Sequence, residues 1–253
     1  SDGTTARLTE RGLPLDAQRT RDTHAAVLAA RQGPADELAG HGITDPAKAA
    51  QVSAVLVALG ADLPQTKTGR PSTARDAVDK LADDQGPVGD VARLLLDWRS
   101  QDKLRSTYTE GWVDALDRGD GRVRPTILTL GADATGRMSS VRPNVQQSPR
   151  AGGLRECIGA EPGHLLISAD FSSVEVRIAA WVSDDRHLAD MIARGVDLHA
   201  VVAEIVWGPG FTKANRYQAK RGVFGRLYGV GLATIAHQVG GSPAVAQSVV
   251  DAL

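Results

Sequence analysis

The chain has 253 residues, 42% of them hydrophobic and only 4% aromatic, with a formal net charge of −1 and a single cysteine. That length can bury one large core or two modest ones, built mainly from Ala, Val, Leu and Ile, which suggests helices more than sheet. Cys157 alone excludes an internal disulfide, and no Cys/His cluster has zinc spacing. No segment approaches the run of about 18 apolar residues that a membrane span needs, and the N-terminus lacks a signal-peptide layout, so a reduced, cytoplasmic protein with no membrane partner is expected.

In chain order, Asp16 to Arg31 and Pro46 to Leu59 carry apolar residues at helical spacing, with Asp45-Pro46 supplying an N-cap and a first-turn proline. Pro64 to Thr73 is a turn-rich basic loop, and Ser72 or Thr73 is positioned to cap a helix running to Leu81. A further helix spans about Val88 to Leu116 and ends in the charged turn Asp117-Arg118-Gly119-Asp120-Gly121, where a domain boundary is expected. Gly121 to Val145 is rich in β-branched residues, Gly and Pro and reads as short strands and loops. The apolar run Leu165-Leu166-Ile167-Ser168-Ala169 reads as a buried strand ending at Asp170. Ser172 or Ser173 then caps a helix to about Trp181, and from Leu188 the chain is again mostly helical. This divides the molecule into a helical domain at 1–118, a mixed segment at 119–182 and a second helical segment at 183–253.

Between Trp207 and Val250 the charged residues are Lys213, Arg216, Lys220, Arg221 and Arg226, with no carboxylate among them. Arg216, Lys220, Phe224 and Tyr228 recur at every fourth position, and each such step advances only ~40° around a helix, so they share one drifting face about 18 Å long. The order is cation, cation, ring, ring. A nucleoside triphosphate has the matching layout, because phosphates take Arg and Lys whereas sugar and base take apolar or stacking surfaces. The same pattern also describes an amphipathic helix with a solvated basic side and two core aromatics. Asp170, at the end of the expected strand, is placed either to hold a metal ion or simply to cap the helix that follows.

These segments resemble family A DNA polymerases, the family of bacterial DNA polymerase I. Its second motif reads Arg, three residues, Lys, three residues, Phe or Tyr, then Tyr-Gly at this spacing, and Arg216, Lys220, Phe224, Tyr228 and Gly229 match it. Val223 departs from the usual Asn. Asp170-Phe171-Ser172-Ser173-Val174-Glu175-Val176-Arg177 looks like the first motif, Asp-Tyr-Ser-Gln-Ile-Glu-Leu-Arg. Ala134-Thr135-Gly136-Arg137-Met138-Ser139-Ser140 with Pro143-Asn144-Val145-Gln146 is similar to the Thr-Gly-Arg-Leu-Ser-Ser and Pro-Asn-Leu-Gln segment, after which Gln147-Ser148-Pro149 stands where the family has Asn-Ile-Pro. Asp197-Leu198-His199 matches Asp-Ile-His. Lys67 to Thr73 and Trp98 to Tyr108 resemble the thumb tip and thumb helix.

The resemblance implies an incomplete right-hand polymerase architecture of α+β, mostly helical class: a thumb-like domain at 1–118, a partial palm at 119–182 and partial fingers at 183–253. It implies template-directed DNA synthesis from dNTP on primer-template DNA with two Mg²⁺ ions. Asp170 would bind the metals, and Lys220 would share in catalysis. Arg155, Arg216, Lys220 and His199 would meet the nucleotide's phosphates, Ser172 would lie beside the triphosphate through its backbone, Phe224 would meet sugar and base, and Tyr228 would stand at the templating base. Glu175 would crowd a ribose 2′-hydroxyl. Arg137, Asn144 and Gln146 would contact the duplex near the primer terminus, where the minor groove offers acceptors at every base pair. Lys67, Arg70, Ser72, Thr73, Arg99 and Lys103 would grip duplex phosphates. The family's third motif, a His-Asp-Glu turn carrying the second metal-binding carboxylate, is not reached before Leu253. The expectation is therefore a polymerase chain truncated or split before that carboxylate and inactive alone, or alternatively a non-catalytic primer-template-binding fragment or subunit that needs a second polypeptide for activity.

Overall fold

The computed structural model describes residues 2–132, 136–150, 152–239 and 242–251, and its backbone separates into two compact units, Ser1–Ile167 and Ser168–Leu253. Each is described by itself. Among the described residues the chain is mostly helical with two small antiparallel sheets, and no helix is long and apolar enough to cross a membrane.

In the first unit α1 (Asp2–Arg11) and β1 (Leu13–Pro14) precede the long helix α2 (Ala17–Gly40). Asp16 caps α2, its side chain accepting from the Arg19 N–H at 2.9 Å. The helix runs past Arg31 and through Pro34. Proline removes a backbone bond there, but Leu38 is fully buried in a core with Val91, Leu95 and Trp98, and this packing holds the last turns. Helix α3 (Ala49–Ala58) starts later than expected. Asp45 does not cap it: its carboxylate accepts from the Ala47 N–H at 3.1 Å and closes the turn leading in. Helix α4 (Arg75–Leu81) has Ala74 at its N-cap, so neither Ser72 nor Thr73 caps it, and Ser72 Oγ instead accepts from the Ala74 N–H at 3.2 Å.

Helix α5 (Pro87–Leu104), with proline in its first turn, passes through a π-helical stretch at Arg105–Thr109 into α6 (Glu110–Asp117). The rod is pinned to α2 by Arg31, whose Nε donates to Asp102 at 2.8 Å and whose guanidinium lies 4.7 Å from the Trp98 ring centre. Tyr108, Trp112, Val123, Leu154 and Cys157 form a second core, so burial continues across the Asp117–Gly121 turn. Strand β2 (Arg122–Val123) pairs with β1. β3 (Thr126–Ala132) pairs with β4 (Arg137–Val141), in the register Thr126↔Val141, Ile127↔Ser140 and Leu128↔Ser139, before an irregularity ahead of Ala132↔Arg137. The Gly121–Val145 region is thus strands and loops, as its composition suggests.

The expected buried strand at Leu165–Ala169 is absent. The segment is extended but unpaired, and Leu165 and Ile167 are 89% and 90% exposed. An apolar run becomes a buried strand only where neighbouring strands take up its backbone groups, and among the described residues none lies alongside it.

The second unit is helical: α7 (Val174–Val182), α8 (Arg186–Ala193), α9 (Leu198–Trp207), α10 (Lys213–Leu227), α11 (Leu232–Val239) and α12 (Pro243–Asp251). Its core joins Val202 and Ala203 of α9, Ala219 and Val223 of α10, and Val249 of α12, with Ile235, Ala236, Val239 and Ala246 forming a second layer between α11 and α12. Ser173 stands at the N-cap of α7, but its left-handed backbone (φ 51°) is not the extended geometry of a capping serine, and no side-chain cap forms. Asp170 does not cap α7 either.

Candidate functional site

Helix α10 is set by a reciprocal cap. Thr212 Oγ1 accepts from the Asn215 N–H at 3.2 Å, and Asn215 Oδ1 accepts from the Thr212 N–H at 2.9 Å. This start fixes the register of everything behind it. Ala219, Gly222, Val223 and Gly225 face inward and are buried, whereas Arg216 and Lys220 are exposed and Phe224 is half-buried. A Cβ on Gly222 would sit 2.5 Å from Val249 Cγ1, and one on Gly225 would sit 3.3 Å from Ile235 Cγ1, so glycine lets α12 and α11 approach the back of α10.

The front of α10 opens onto two hollows. One, of about 270 Å³, is lined by Ser172, Ser173, Arg177, Asp197, His199 and Arg216 among others. The other, of about 460 Å³, is lined by Tyr217, Lys220, Arg221, Phe224, Tyr228 and Gln238 with their neighbours. The rings of His199 and Phe224, 5.7 Å apart and tilted by 50°, stand between them. Lys220 Nζ lies 5.7 Å from the centre of the Phe224 ring. Of the fourfold series, Arg216 lines the first hollow, together with His199 and Ser172, and Lys220, Phe224 and Tyr228 line the second. Tyr217 and Gln238 line the second hollow without having been singled out by spacing.

Asp197 has a part that local sequence did not disclose. Its Oδ1 accepts from the N–H groups of His199 and Ala200 at 3.1 and 3.2 Å, capping α9. Its Oδ2 accepts from Arg216 Nε and Nη2, both at 2.7 Å. Burial works against ionisation, but the Arg216 and Ala200 hydrogen bonds prevail and hold the Asp197 carboxyl below the usual carboxylate range. Burial pushes the His199 imidazole below its ordinary pKa; Asp197 opposes this, while Arg216 and Lys220 add to it. His199 Nδ1 is buried with no hydrogen-bond partner.

Upstream of α7, Asp170 and Ser172 are exposed, and the Ser172 carbonyl accepts from Arg177 Nε at 2.9 Å. Glu175 is half-buried in the first turn of α7. A divalent cation of the Mg²⁺ type takes oxygen ligands in an octahedron. Asp170 offers one carboxylate, and among the described residues no group of three or more His, Cys, Asp or Glu is gathered to complete such a set. Asp170 is thus an oxygen donor of the type such a cation takes, and the described residues do not by themselves gather a full ligand set.

In the first unit, the Pro64–Thr73 loop is a tight turn closed by Ser72 N–H to Pro64 O at 2.7 Å and Thr66 N–H to Arg70 O at 2.8 Å, with Lys67 and Arg70 exposed on it. Thr73 is buried, and its carbonyl accepts from Arg99 Nη1 at 2.6 Å. Lys103, one turn along α5, is exposed. Arg137 is exposed on β4. Asn144 Oδ1 accepts from Ser140 Oγ and from the Gln147 N–H, each at 3.2 Å, which folds the Val145–Gln147 turn against β4, and Gln146 Nε2 reaches the Met138 carbonyl at 3.4 Å. Arg155 gives Nε and Nη2 to the Ser148 carbonyl at 3.0 and 2.9 Å. Ala134 and Thr135 of the Thr-Gly-Arg segment lie outside the described residues.

The family model described as DNA polymerase family A matches residues 17–253. DNA polymerase I of Caldicellulosiruptor bescii is 36% identical over 66% of this chain and 20% of its own length. DNA polymerase I of Deinococcus radiodurans is 32% identical over 94% of this chain and 26% of its own length. Among solved structures, the POL domain of Pol1 from M. smegmatis, in complex with DNA primer-template and dNTP, superposes with a TM-score of 0.75 at 26% identity, over 98% of this chain and 45% of that one. The chain thus spans about a fifth to a quarter of the length of these curated relatives.

Proposed function

The chain belongs to the family A DNA polymerases, and from that premise we propose that it supplies the thumb-like domain (1–118), partial palm (119–182) and partial fingers (183–253) of an enzyme of template-directed DNA synthesis. The observation that carries this is the front of α10: Arg216, Lys220, Phe224 and Tyr228 in series, with the His199 ring tilted against Phe224 and Ser172 in the wall of the same cleft as Arg216. On this reading the cationic end takes the triphosphate, Phe224 takes the sugar and base, and Tyr228 abuts the templating base. Arg155 and His199 add phosphate contacts, and the Ser172 backbone lies alongside. Glu175 closes the space beside C2′ and so selects deoxyribose.

Asp170 is the metal ligand that this chain contributes. Two Mg²⁺ ions bound there would neutralise the triphosphate and favour attack of the primer 3′-hydroxyl on the α-phosphate. The protein's own part is positioning: α10 orients the triphosphate, Lys220 offsets charge that develops on it, and the Phe224 side of the cleft keeps the sugar in place. Lys67, Arg70, Ser72, Thr73 and Lys103 hold duplex phosphates at the thumb loop and along α5, Arg99 supports that loop through the Thr73 carbonyl, and Arg137, Asn144 and Gln146 meet the minor groove near the primer end.

Two-metal chemistry needs carboxylates flanking both ions, and Asp170 is one. We propose that this chain binds primer-template DNA and dNTP by itself but extends primers only with a polypeptide carrying the His-Asp-Glu region. The test is primer extension by residues 1–253 with and without that polypeptide, alongside duplex affinity measured at several salt concentrations. Salt-sensitive DNA binding, with extension only in the reconstituted mixture and lost in Asp170→Ala, is the expected result. Extension by residues 1–253 alone that Asp170→Ala abolishes would overturn the two-chain reading, and failure to bind DNA or dNTP at all would overturn the polymerase reading.

A further inference from the structure

We infer that Asp197 is a positioning residue, a brace that sets Arg216 and His199 as one preformed receptor for the charged end of a nucleotide. The inference rests on reading the α10 cleft as nucleotide-binding and adds a residue to which that reading gives no role.

The geometry joins two helices through one carboxylate. Oδ1 takes the N–H groups of His199 and Ala200, which fixes the first turn of α9 and with it the His199 ring. Oδ2 takes Nε and Nη2 of Arg216 on α10. A guanidinium carries five N–H groups in a rigid fork. Two are turned to Asp197, so the outer edge can face an anion while the inner edge stays held; the Arg216 side chain is 44% exposed. Arg216, His199 and Asp197 all line the same cleft of about 270 Å³, and His199 keeps its Nδ1 buried and without a hydrogen-bond partner. An arriving polyphosphate would meet the free edge of the braced arginine in this cleft, beside the imidazole whose helix Asp197 caps.

An aspartate beside a phosphate site also repels the ligand, and the two effects oppose each other. Here the repulsion is small, because both carboxylate oxygens already face donors and Arg216 neutralises the charge at contact distance. The brace, by contrast, removes the rotamer freedom that a long side chain would otherwise surrender on binding. Weaker polyphosphate binding on removing Asp197 is therefore expected, despite the more positive field.

Asp197→Asn isolates the effect. Asparagine still caps a helix well, but its amide NH₂ cannot accept from the guanidinium. The probe is a non-reacting 2′-deoxynucleoside 5′-(α,β-imido)triphosphate with Mg²⁺, titrated into the 253-residue chain and compared with the matching nucleoside. Four proteins are compared: the parent, Asp197→Asn, Arg216→Ala and the double variant. Each is first checked for cooperative thermal unfolding, and Asp197→Ser, which also keeps a capping oxygen, replaces Asp197→Asn if the latter does not fold.

The expected result is about a tenfold loss of triphosphate affinity in Asp197→Asn, the order for losing one oriented, charge-assisted contact. Nucleoside binding should be unaltered, and the same substitution should change affinity less than about twofold in the Arg216→Ala background. Unchanged or tighter triphosphate binding in Asp197→Asn, or an equal loss without Arg216, would refute the brace and leave the nucleotide site standing. A parent chain that does not prefer the triphosphate to the nucleoside, or whose preference survives Arg216→Ala, would refute the nucleotide site and this inference with it.

Discussion

Gly222→Ala tests whether the cleft depends on the back of α10. In an isolated helix the substitution would stabilise by about 1 kcal/mol, because alanine restricts the unfolded chain and glycine does not. In this fold the new Cβ would lie 2.5 Å from Val249 Cγ1 and 3.4 Å from Val239 Cγ1. Val249 and Val239 are buried in the core, and a valine on a helix has essentially one χ1 rotamer, so neither can swing aside. Overpacking of that kind costs about 1–3 kcal/mol. An approach of 2.5 Å puts the cost in the upper part of that range, about 2–3 kcal/mol, so the clash wins and a net destabilisation of about 1–2 kcal/mol in the second unit follows. Urea unfolding followed by hydrogen exchange in peptides from α10 and α12 reads that unit separately from the first. Val249→Ala alone opens a cavity and costs on the order of 2 kcal/mol, but combined with Gly222→Ala it makes room for the new methyl, so the double variant should be more stable than the sum of the singles by about 1 kcal/mol. A neutral or stabilised Gly222→Ala, or strict additivity, would mean that α12 does not set the seat of α10.

Glu175→Ala, in the enzyme reconstituted with its missing region, should raise ribonucleotide incorporation at least about tenfold by opening the space beside C2′, read as the ratio of kcat/KM for NTP and dNTP; an unchanged ratio would remove Glu175 as the sugar gate. Arg99→Ala should weaken duplex binding while leaving the salt dependence nearly unaltered, because Arg99 props the Thr73 carbonyl; Lys67→Ala should lower the slope of log Kobs against log salt by about one. Equal slope changes in the two variants would make Arg99 a direct phosphate contact instead. The depressed His199 pKa means that the unfolded chain binds more protons than the native one between the native pKa and the ordinary value of about 6.5. Its contribution to stability is therefore complete above pH ~6.5 and is lost as pH falls through the native pKa, so the second unit should melt lower at pH 5 than at pH 7, and His199→Gln should flatten that dependence.

What the sequence disclosed and what it withheld divide by range. The cation–cation–ring–ring face of α10 is legible because helical geometry alone puts every fourth residue on one side, whatever the helix packs against. The start of α2 near Asp16 is legible for the same reason, because its apolar residues recur at helical spacing. Leu165–Ala169 was misread because an apolar run has the same appearance whether or not a neighbouring strand exists to pair with it. Asp45 was misread because an aspartate before a proline makes either a cap or a plain turn, and the choice falls to where Val52 and Leu56 reach the core. Asp197 caps its helix in plain view, but its second partner, Arg216, is nineteen residues away, and no local pattern records that bond.

The two faces of α10 explain why its front can be so sparely supported. Arg216, Lys220 and Tyr228 are exposed, and a roll of one residue's arc would carry the cations out of line with His199. Rotation has to be set from behind. The back supplies small residues, Ala219, Gly222 and Gly225, against which the β-branched side chains of α11 and α12 close, and shape matching of this kind admits one azimuth. The capping box at Thr212 and Asn215 fixes the axial position at one end, and the Asp197–Arg216 bond ties the same turn to α9. A basic helix that merely solvates its charges needs none of these restraints, whereas a face that must present phosphate, sugar and base contacts in order needs all of them together.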